Sequence, residues 1–232
     1  MKALILAAGR GERLRPLTLM TPKPLLPVNN KPLIVHHIER LAQTGIKDIV
    51  INYAWLGEKI TAYLGDGSRW GVNILWSKEQ QALGTGGGIK NALPLLGTEP
   101  FIMVSADIVT NYPFGNLQKM QLKPNILGHL LLITNPDHHQ KGDYCLKSGL
   151  VMHRHAGLQT LTFASIALLT PALFRFGNES ATTFSLTLPF GRAIDAGRLS
   201  GEHFTGYHCN ADTLKRLQNA EREYPKFINT LC

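Results

Sequence analysis

Residues 6–18 read Leu-Ala-Ala-Gly-Arg-Gly-Glu-Arg-Leu-Arg-Pro-Leu-Thr, and residues 21–28 read Thr-Pro-Lys-Pro-Leu-Leu-Pro-Val. Small residues after a strand let backbone N–H groups come close to phosphate oxygens, and neighbouring cationic side chains can balance the phosphate charge. Two familiar phosphate loops do not fit. A dinucleotide loop, Gly-x-Gly-x-x-Gly, needs glycine where Leu14 stands, and the second strand ends in Asn52-Tyr53 with no carboxylate for a ribose. A loop of the Gly-Lys-Ser/Thr kind is absent. By itself, a bare Gly9-x-Gly11 is more often a tight strand-to-helix turn with solvated arginines.

Other constellations are weaker. His138, His139, His153 and His155 fall in loop-like or exposed strand positions without carboxylate support, which disfavours a histidine metal site. No Gly-x-Ser-x-Gly elbow supports a Ser/His/Asp hydrolase. Glu12 and Glu79 read as surface carboxylates, and Trp55, Trp70 and Trp76 as packing anchors.

The composition narrows the partners. The 232 residues carry 24 Lys+Arg against 16 Asp+Glu, a formal net charge of +8 that suits anionic ligands. No basic block or basic-aromatic stripe occurs, so nucleic acid is not favoured. A hydrophobic fraction of 44% and a charged fraction of 17% describe an ordinary folded chain. No apolar run approaches the roughly 20 residues of a membrane span. Met1–Gly9 reads as a first strand rather than a signal peptide. Cys145, Cys209 and Cys232, without Cys-x-x-Cys, suit a reducing cytoplasm and offer neither a disulfide framework nor zinc-ligand spacing.

Apolar periodicity supplies the scaffold. Lys2–Ala7 is expected to be a strand, followed by a helix with Pro32 at its first position and Ile34, Ile38, Leu41 and Ala42 on one face, up to Gly45. A strand over Asp48–Tyr53, a helix over Leu56–Leu64 and a strand over Val72–Trp76 follow. A helix over Gly87–Leu93 stopped by Pro94, and a buried strand over Phe101–Ser105 leading to Asp107, complete the first half. This alternation predicts a doubly wound α/β domain, a mostly parallel Rossmann-like sheet with its ligand site at the carboxyl edge. The second half is less regular. Strands are expected over Leu127–Thr134, Tyr144–His153 and Leu161–Leu169, and helices over Phe184–Ala196 and Thr213–Glu223. With no linker, low-complexity segment or repeat, residues 1–232 read as one domain.

The segment from Leu6 to Val28 resembles the signature of the sugar-1-phosphate nucleotidyltransferases, Leu-Ala-Ala-Gly-x-Gly-x-Arg-Leu-x-Pro-Leu-Thr followed by Pro-Lys-Pro-Leu-Leu-Pro. In that family the loop arginine, here Arg13, binds triphosphate oxygens. The Pro-Lys-Pro lysine, here Lys23, binds the α- or the sugar phosphate. Leu83-Gly84-Thr85-Gly86-Gly87-Gly88 resembles the family's glycine-rich segment beside the nucleobase. Ser105-Ala106-Asp107 stands where the family has a strand ending in an aspartate that binds Mg²⁺. Residues 51–57, 64–71, 135–139, 142–144 and 200–204 are together similar to the short bacterial N-acetylmuramate-1-phosphate uridylyltransferases of cell-wall recycling.

The resemblance implies a nucleotide bordered by Leu6, Ala8, Gly9, Gly11, Gly84 and Thr85, with Gln80 or Gln81 near the base and Asp143 near the sugar. It implies that a sugar-1-phosphate attacks the α-phosphorus of a nucleoside triphosphate, UTP by the subfamily resemblance, and releases pyrophosphate. The ionised nucleophile needs no general base.

Two departures stand out. Such enzymes carry Trp-x-Asp-Val-Gly-Thr near the C-terminus. Aligned on Thr213-Leu214-Lys215-Arg216-Leu217, the second metal ligand becomes Asn210 and the glycine becomes Asp212. An amide oxygen can bind Mg²⁺ but brings no charge; related N-acetylglucosamine-1-phosphate uridylyltransferases use an Asp/Asn pair. Asp212 reads as a solvated helix cap, with a compensating metal ligand as the alternative. Gly84, where the muramate enzymes often have Glu, restores the commoner family form. Three functions stay open: the muramate uridylyltransferase, an enzyme for another sugar such as mannose-1-phosphate with GTP, and a non-catalytic nucleotide-sugar binder.

Overall fold

A computed structural model describes residues 1–176 and 181–228, and Cys232 lies outside the described residues. The first half contains β1 (Lys2–Leu6), α1 (Leu17–Met20), a small hairpin of β2 (Pro27–Val28) and β3 (Lys31–Pro32), and α2 (Leu33–Gln43). It continues through β4 (Asp48–Tyr53), α3 (Gly57–Leu64), β5 (Asn73–Lys78), α4 (Gly84–Leu96), β6 (Phe101–Ser105), β7 (Ile108–Thr110) and α5 (Gly115–Lys119). The second half contains β8 (Gly128–Ile133), β9 (Tyr144–Lys147), β10 (Leu150–His153), β11 (Thr160–Leu169) and α6 (Thr187–Asp195). β12 (Leu199–Phe204), β13 (His208–Asn210), α7 (Leu214–Glu223) and α8 (Pro225–Ile228) close it.

Nine strands form one sheet in the order β5-β4-β1-β6-β11-β8-β12-β10-β9. β5, β4, β1 and β6 are mutually parallel, and β12 is parallel to β8. Only β11 and β10 run against the other strands of this sheet. The continuous apolar run of β1 follows from burial on both faces. Ala3 and Ile5 pack with Ile34, Val35 and Ile38 of α2, whereas Leu4 packs with Ile89 and Ala92 of α4.

Most element ends fall within two residues of the sequence expectation, and three elements depart further. α4 begins at Gly84 and runs past Pro94 to Leu96. The Gly86 and Gly87 N–H groups donate to the Phe184 carbonyl at 3.0 and 3.2 Å, which satisfies first-turn donors and starts the helix early. Gly97, in the left-handed region at φ 88°, ends it instead of the proline. The helix expected from Phe184 starts only at Thr187, because the Phe184 backbone is engaged by α4 and by Leu83 O at 3.0 Å. The single strand expected over Tyr144–His153 is a hairpin, turned at Ser148-Gly149, where both residues have positive φ.

Candidate active site

A cleft of about 530 Å³ opens over the carboxyl ends of β1, β4 and β6, the place where doubly wound sheets bind ligands. Leu6, Ala8, Gly9, Gly11, Arg13, Lys23, Gly84, Thr85 and Asp107 all stand on its wall, as do Asn52, Glu79 and Asp212. Gly11 sits in the left-handed region at φ 64°, and a Cβ there would lie 2.8 Å from the Thr18 methyl. The Thr18 hydroxyl donates to Gly11 O at 2.8 Å and holds the turn.

Behind the loop lies a polar layer that sequence reasoning missed. The Ala7 N–H donates to Asn52 Oδ1 at 2.8 Å, and Asn52 Nδ2 donates to Glu79 Oε1 at 2.7 Å. Glu79 Oε2 accepts the Leu83 N–H at 3.2 Å. Glu79 is therefore no surface carboxylate: it is 6% exposed and joins the ends of β1, β4 and β5 to the start of α4. A Cβ on Gly88 would collide with Glu79 Oε1, so the glycine run leaves room for this carboxylate. The only sequence signal was a polar pair, Asn52 and Glu79, each ending or following an apolar strand.

Two cations of the cleft, Lys23 and Arg13, meet carboxylates. Lys23 Nζ pairs with Asp107 Oδ2, both side chains being largely buried. Arg13, its side chain 67% exposed, reaches Asp212 Oδ2 at 2.5 Å. Arg216 pairs with Asp212 Oδ1 from the other side. The reading of Asp212 as a solvated cap is thus corrected. Asp212 is 4% exposed, and a carboxylate so buried needs counter-charges. The cap of α7 is Thr213, whose hydroxyl accepts the Arg216 N–H at 3.3 Å.

Asp107 follows β6, and Asn210 ends β13, which pairs with β7 so that Asn210 faces Ile108. The Ala211 N–H donates to Asp107 O at 2.9 Å, which ties the two segments together. Asn210 is not on the cleft wall, but its Oδ1 is buried without a hydrogen-bond partner. An orphaned amide oxygen close in the fold to a carboxylate is a donor set that fits a hard cation such as Mg²⁺. Asp212 Oδ1 is likewise buried without a hydrogen bond, but both Asp212 oxygens face guanidinium groups, whose charge opposes a cation there.

A smaller cavity of about 160 Å³ continues from the cleft through the shared residues Leu6, Thr85 and Ser105. Asp143, Tyr144, Phe163, Ser165 and Thr187 line it. Asp143 Oδ2 accepts the Phe163 N–H at 2.9 Å, and Oδ1 pairs with His139 Nε2 at 2.8 Å. Burial, and then the Asp143 carboxylate, push the Tyr144 phenol up to about 12, which keeps it a neutral donor. Ser165 lies at the β11 bulge with φ 55°, a strained conformation for a residue with a side chain.

Other sequence candidates lie elsewhere. Gln80 and Gln81 are exposed between β5 and α4 and do not line the cleft; Ala82 does. His139 and His153 have the carboxylate partners that the sequence did not reveal, Asp143 and Asp195, each at 2.8 Å. Trp55 is 39% exposed and donates to Thr18 O at 3.1 Å, pinning the outer edge of the loop.

Known proteins share this chain's sequence and fold. A family model described as nucleotidyl transferase matches residues 2–144. An N-acetylmuramate alpha-1-phosphate uridylyltransferase from Neisseria meningitidis is 44% identical over 225 residues, covering 95% of this chain and 97% of that protein. A mannose-1-phosphate guanyltransferase from Yarrowia lipolytica is 43% identical over 128 residues, covering 54% of this chain and 35% of its own length. The fold matches a Bacillus anthracis structure provisionally assigned as a glucose-1-phosphate thymidylyltransferase, with a TM-score of 0.83, 22% identity and coverage of 96% and 94%. With its glycine loop, lysine and strand-end aspartate around one cleft, and these matches across most of its length, the chain belongs to the nucleotidyl transferase family.

Proposed function

We propose that this nucleotidyltransferase makes a nucleotide-sugar from UTP and N-acetylmuramate-1-phosphate, releasing pyrophosphate, as part of cell-wall recycling in the cytoplasm. The observation that carries the reading is the Lys23–Asp107 pair on the wall of a cleft whose other side is the glycine loop. The choice of base and sugar rests on the 44% identity to the Neisseria uridylyltransferase over nearly the whole of both chains. The unbroken sheet from β5 to β9 supports treating residues 1–232 as one domain.

In this reading the backbone of Ala8, Gly9 and Gly11 borders the triphosphate, and Gly84 and Thr85 border the nucleoside. Lys23 draws the reacting phosphates together, and Arg13 balances the charge that builds on the departing pyrophosphate. Asp107 and Asn210 would hold Mg²⁺, which when bound supplies the charge that lets two phosphates approach. Asp143 and Tyr144 place the sugar in the smaller cavity through their carboxylate and phenol. No side chain has to remove a proton, since the attacking phosphate is already ionised.

A second reading, a guanylyltransferase for mannose-1-phosphate, is favoured by the 43% identity to the Yarrowia enzyme over 128 residues, about half of this chain. Pyrophosphate release from UTP and GTP, each with N-acetylmuramate-1-phosphate and with mannose-1-phosphate, tests both. Turnover with UTP and the muramate substrate, dependent on Mg²⁺, is expected. Faster turnover with GTP and mannose-1-phosphate overturns the first reading, and pyrophosphate from no pair means a binder.

A further inference from the structure

Arg13 serves the chemistry just described, whereas its partners Asp212 and Arg216 have no part in it; Arg13 and Asp212 stand on the cleft wall, and Arg216 holds Asp212 from outside it. The cluster joins the loop after β1 to the start of α7, about 200 residues away in sequence. Its central carboxylate is buried, one of its guanidiniums is largely exposed at 67%, and the other is held inside at 17%. A triphosphate entering the cleft meets Arg13 already engaged by an anion of the protein itself.

We propose that Asp212 is an internal counter-anion that competes with the triphosphate for Arg13, and that Arg216 is the anchor that makes the exchange possible. When Arg13 turns to the ligand, Asp212 would otherwise be left as an unpaired buried charge, a costly state. Arg216 stays on the opposite oxygen and keeps it paired. Asp212 therefore weakens the hold of the empty site on any polyphosphate, substrate and product alike, and favours release of pyrophosphate. The inference rests on the cleft being the phosphate site, and it differs from a metal-ligand role for Asp212 because it operates without Mg²⁺.

The test is calorimetric titration of inorganic tripolyphosphate into the full chain in EDTA, with thermal melts to confirm folding. Asp212→Asn is expected to tighten binding by about two- to five-fold, the worth of a partly exposed ion pair. Arg216→Met is expected to weaken it, since Asp212 then leans on Arg13 alone. In an Arg13→Ala background the gain from Asp212→Asn disappears. Unchanged or weaker binding by folded Asp212→Asn overturns the proposal, as does a gain that survives Arg13→Ala. An effect seen only when Mg²⁺ is added overturns it in favour of metal ligation. If Asp212→Asn does not fold, Asp212→Asn with Arg216→Met must bind tighter than Arg216→Met, and equal binding overturns the proposal. If Arg13→Ala and Lys23→Ala both bind tripolyphosphate like the parent, the phosphate-cleft reading itself fails.

Discussion

The two sides of the binding cavity are built by different means. The side carried by β1, β4 and β6 presents backbone N–H groups, strand-end side chains and one buried polar layer, Asn52 with Glu79. The side carried by β11 and the loop before β9 is held by side chains reaching across the chain. Asn135 Nδ2 donates to Gln140 O at 3.1 Å and Thr160 Oγ1 at 2.9 Å, while Thr162 donates to Asn135 Oδ1 at 2.9 Å. Asp143 then fastens this loop to Phe163. The first side depends on where strands end, and the second on a set of distant pairings that can vary without disturbing the sheet. On the function proposed above, the phosphate chemistry would belong on the first, and discrimination between sugars on the second.

The largest expected effect tests the first side. Lys23→Ala should lower kcat/KM by about 100- to 1,000-fold, the scale of losing a preorganised charge-stabilising group. Arg13→Ala, removing a side chain that is 67% exposed, should cost less, about ten-fold. Steady-state pyrophosphate release measures both, and equal losses would contradict the distinction between a buried and a solvated cation.

Gly88→Ala probes the polar layer. Its Cβ would collide with Glu79 Oε1 and stand 2.8 Å from Asn52 Nδ2, both in a packed interior. A loss of about 2 kcal/mol in urea unfolding is expected, within the range for overpacking. An unchanged midpoint would mean that the layer has slack.

Asp143→Ala should act on one substrate only. Loosening Phe163 and His139 is expected to raise KM for the sugar phosphate by about ten-fold, one charge-assisted hydrogen bond's worth, with KM for the triphosphate unchanged. A rise in both constants would merge the two sides into one.

The smallest effect comes from Ser165→Gly. Relieving a side chain from the left-handed region at φ 55° should stabilise the fold by about 1 kcal/mol, visible as a higher Tm. If the melt falls, the hydroxyl or Cβ contributes packing that outweighs the strain.

Much of this molecule was legible in its residues. Contiguous apolar runs such as Ala3-Leu4-Ile5 and the spacing of Ile34, Ile38 and Leu41 are local signals, and a chain covered on both faces must carry them. The glycine loop, Lys23 and Asp107 were legible by another route, the family resemblance of the segments that carry them, and the fold lines one cleft with all three. What the sequence could not decide was partnership across distance. That Glu79 turns inward to Asn52, that α4 starts on Phe184, and that Asp212 stands between Arg13 and Arg216 depend on segments brought together only when the sheet closes. A carboxylate reads the same in a string of letters whether water or a guanidinium meets it. Burial decides which, because only in the folded interior does an unpaired charge become too costly to keep.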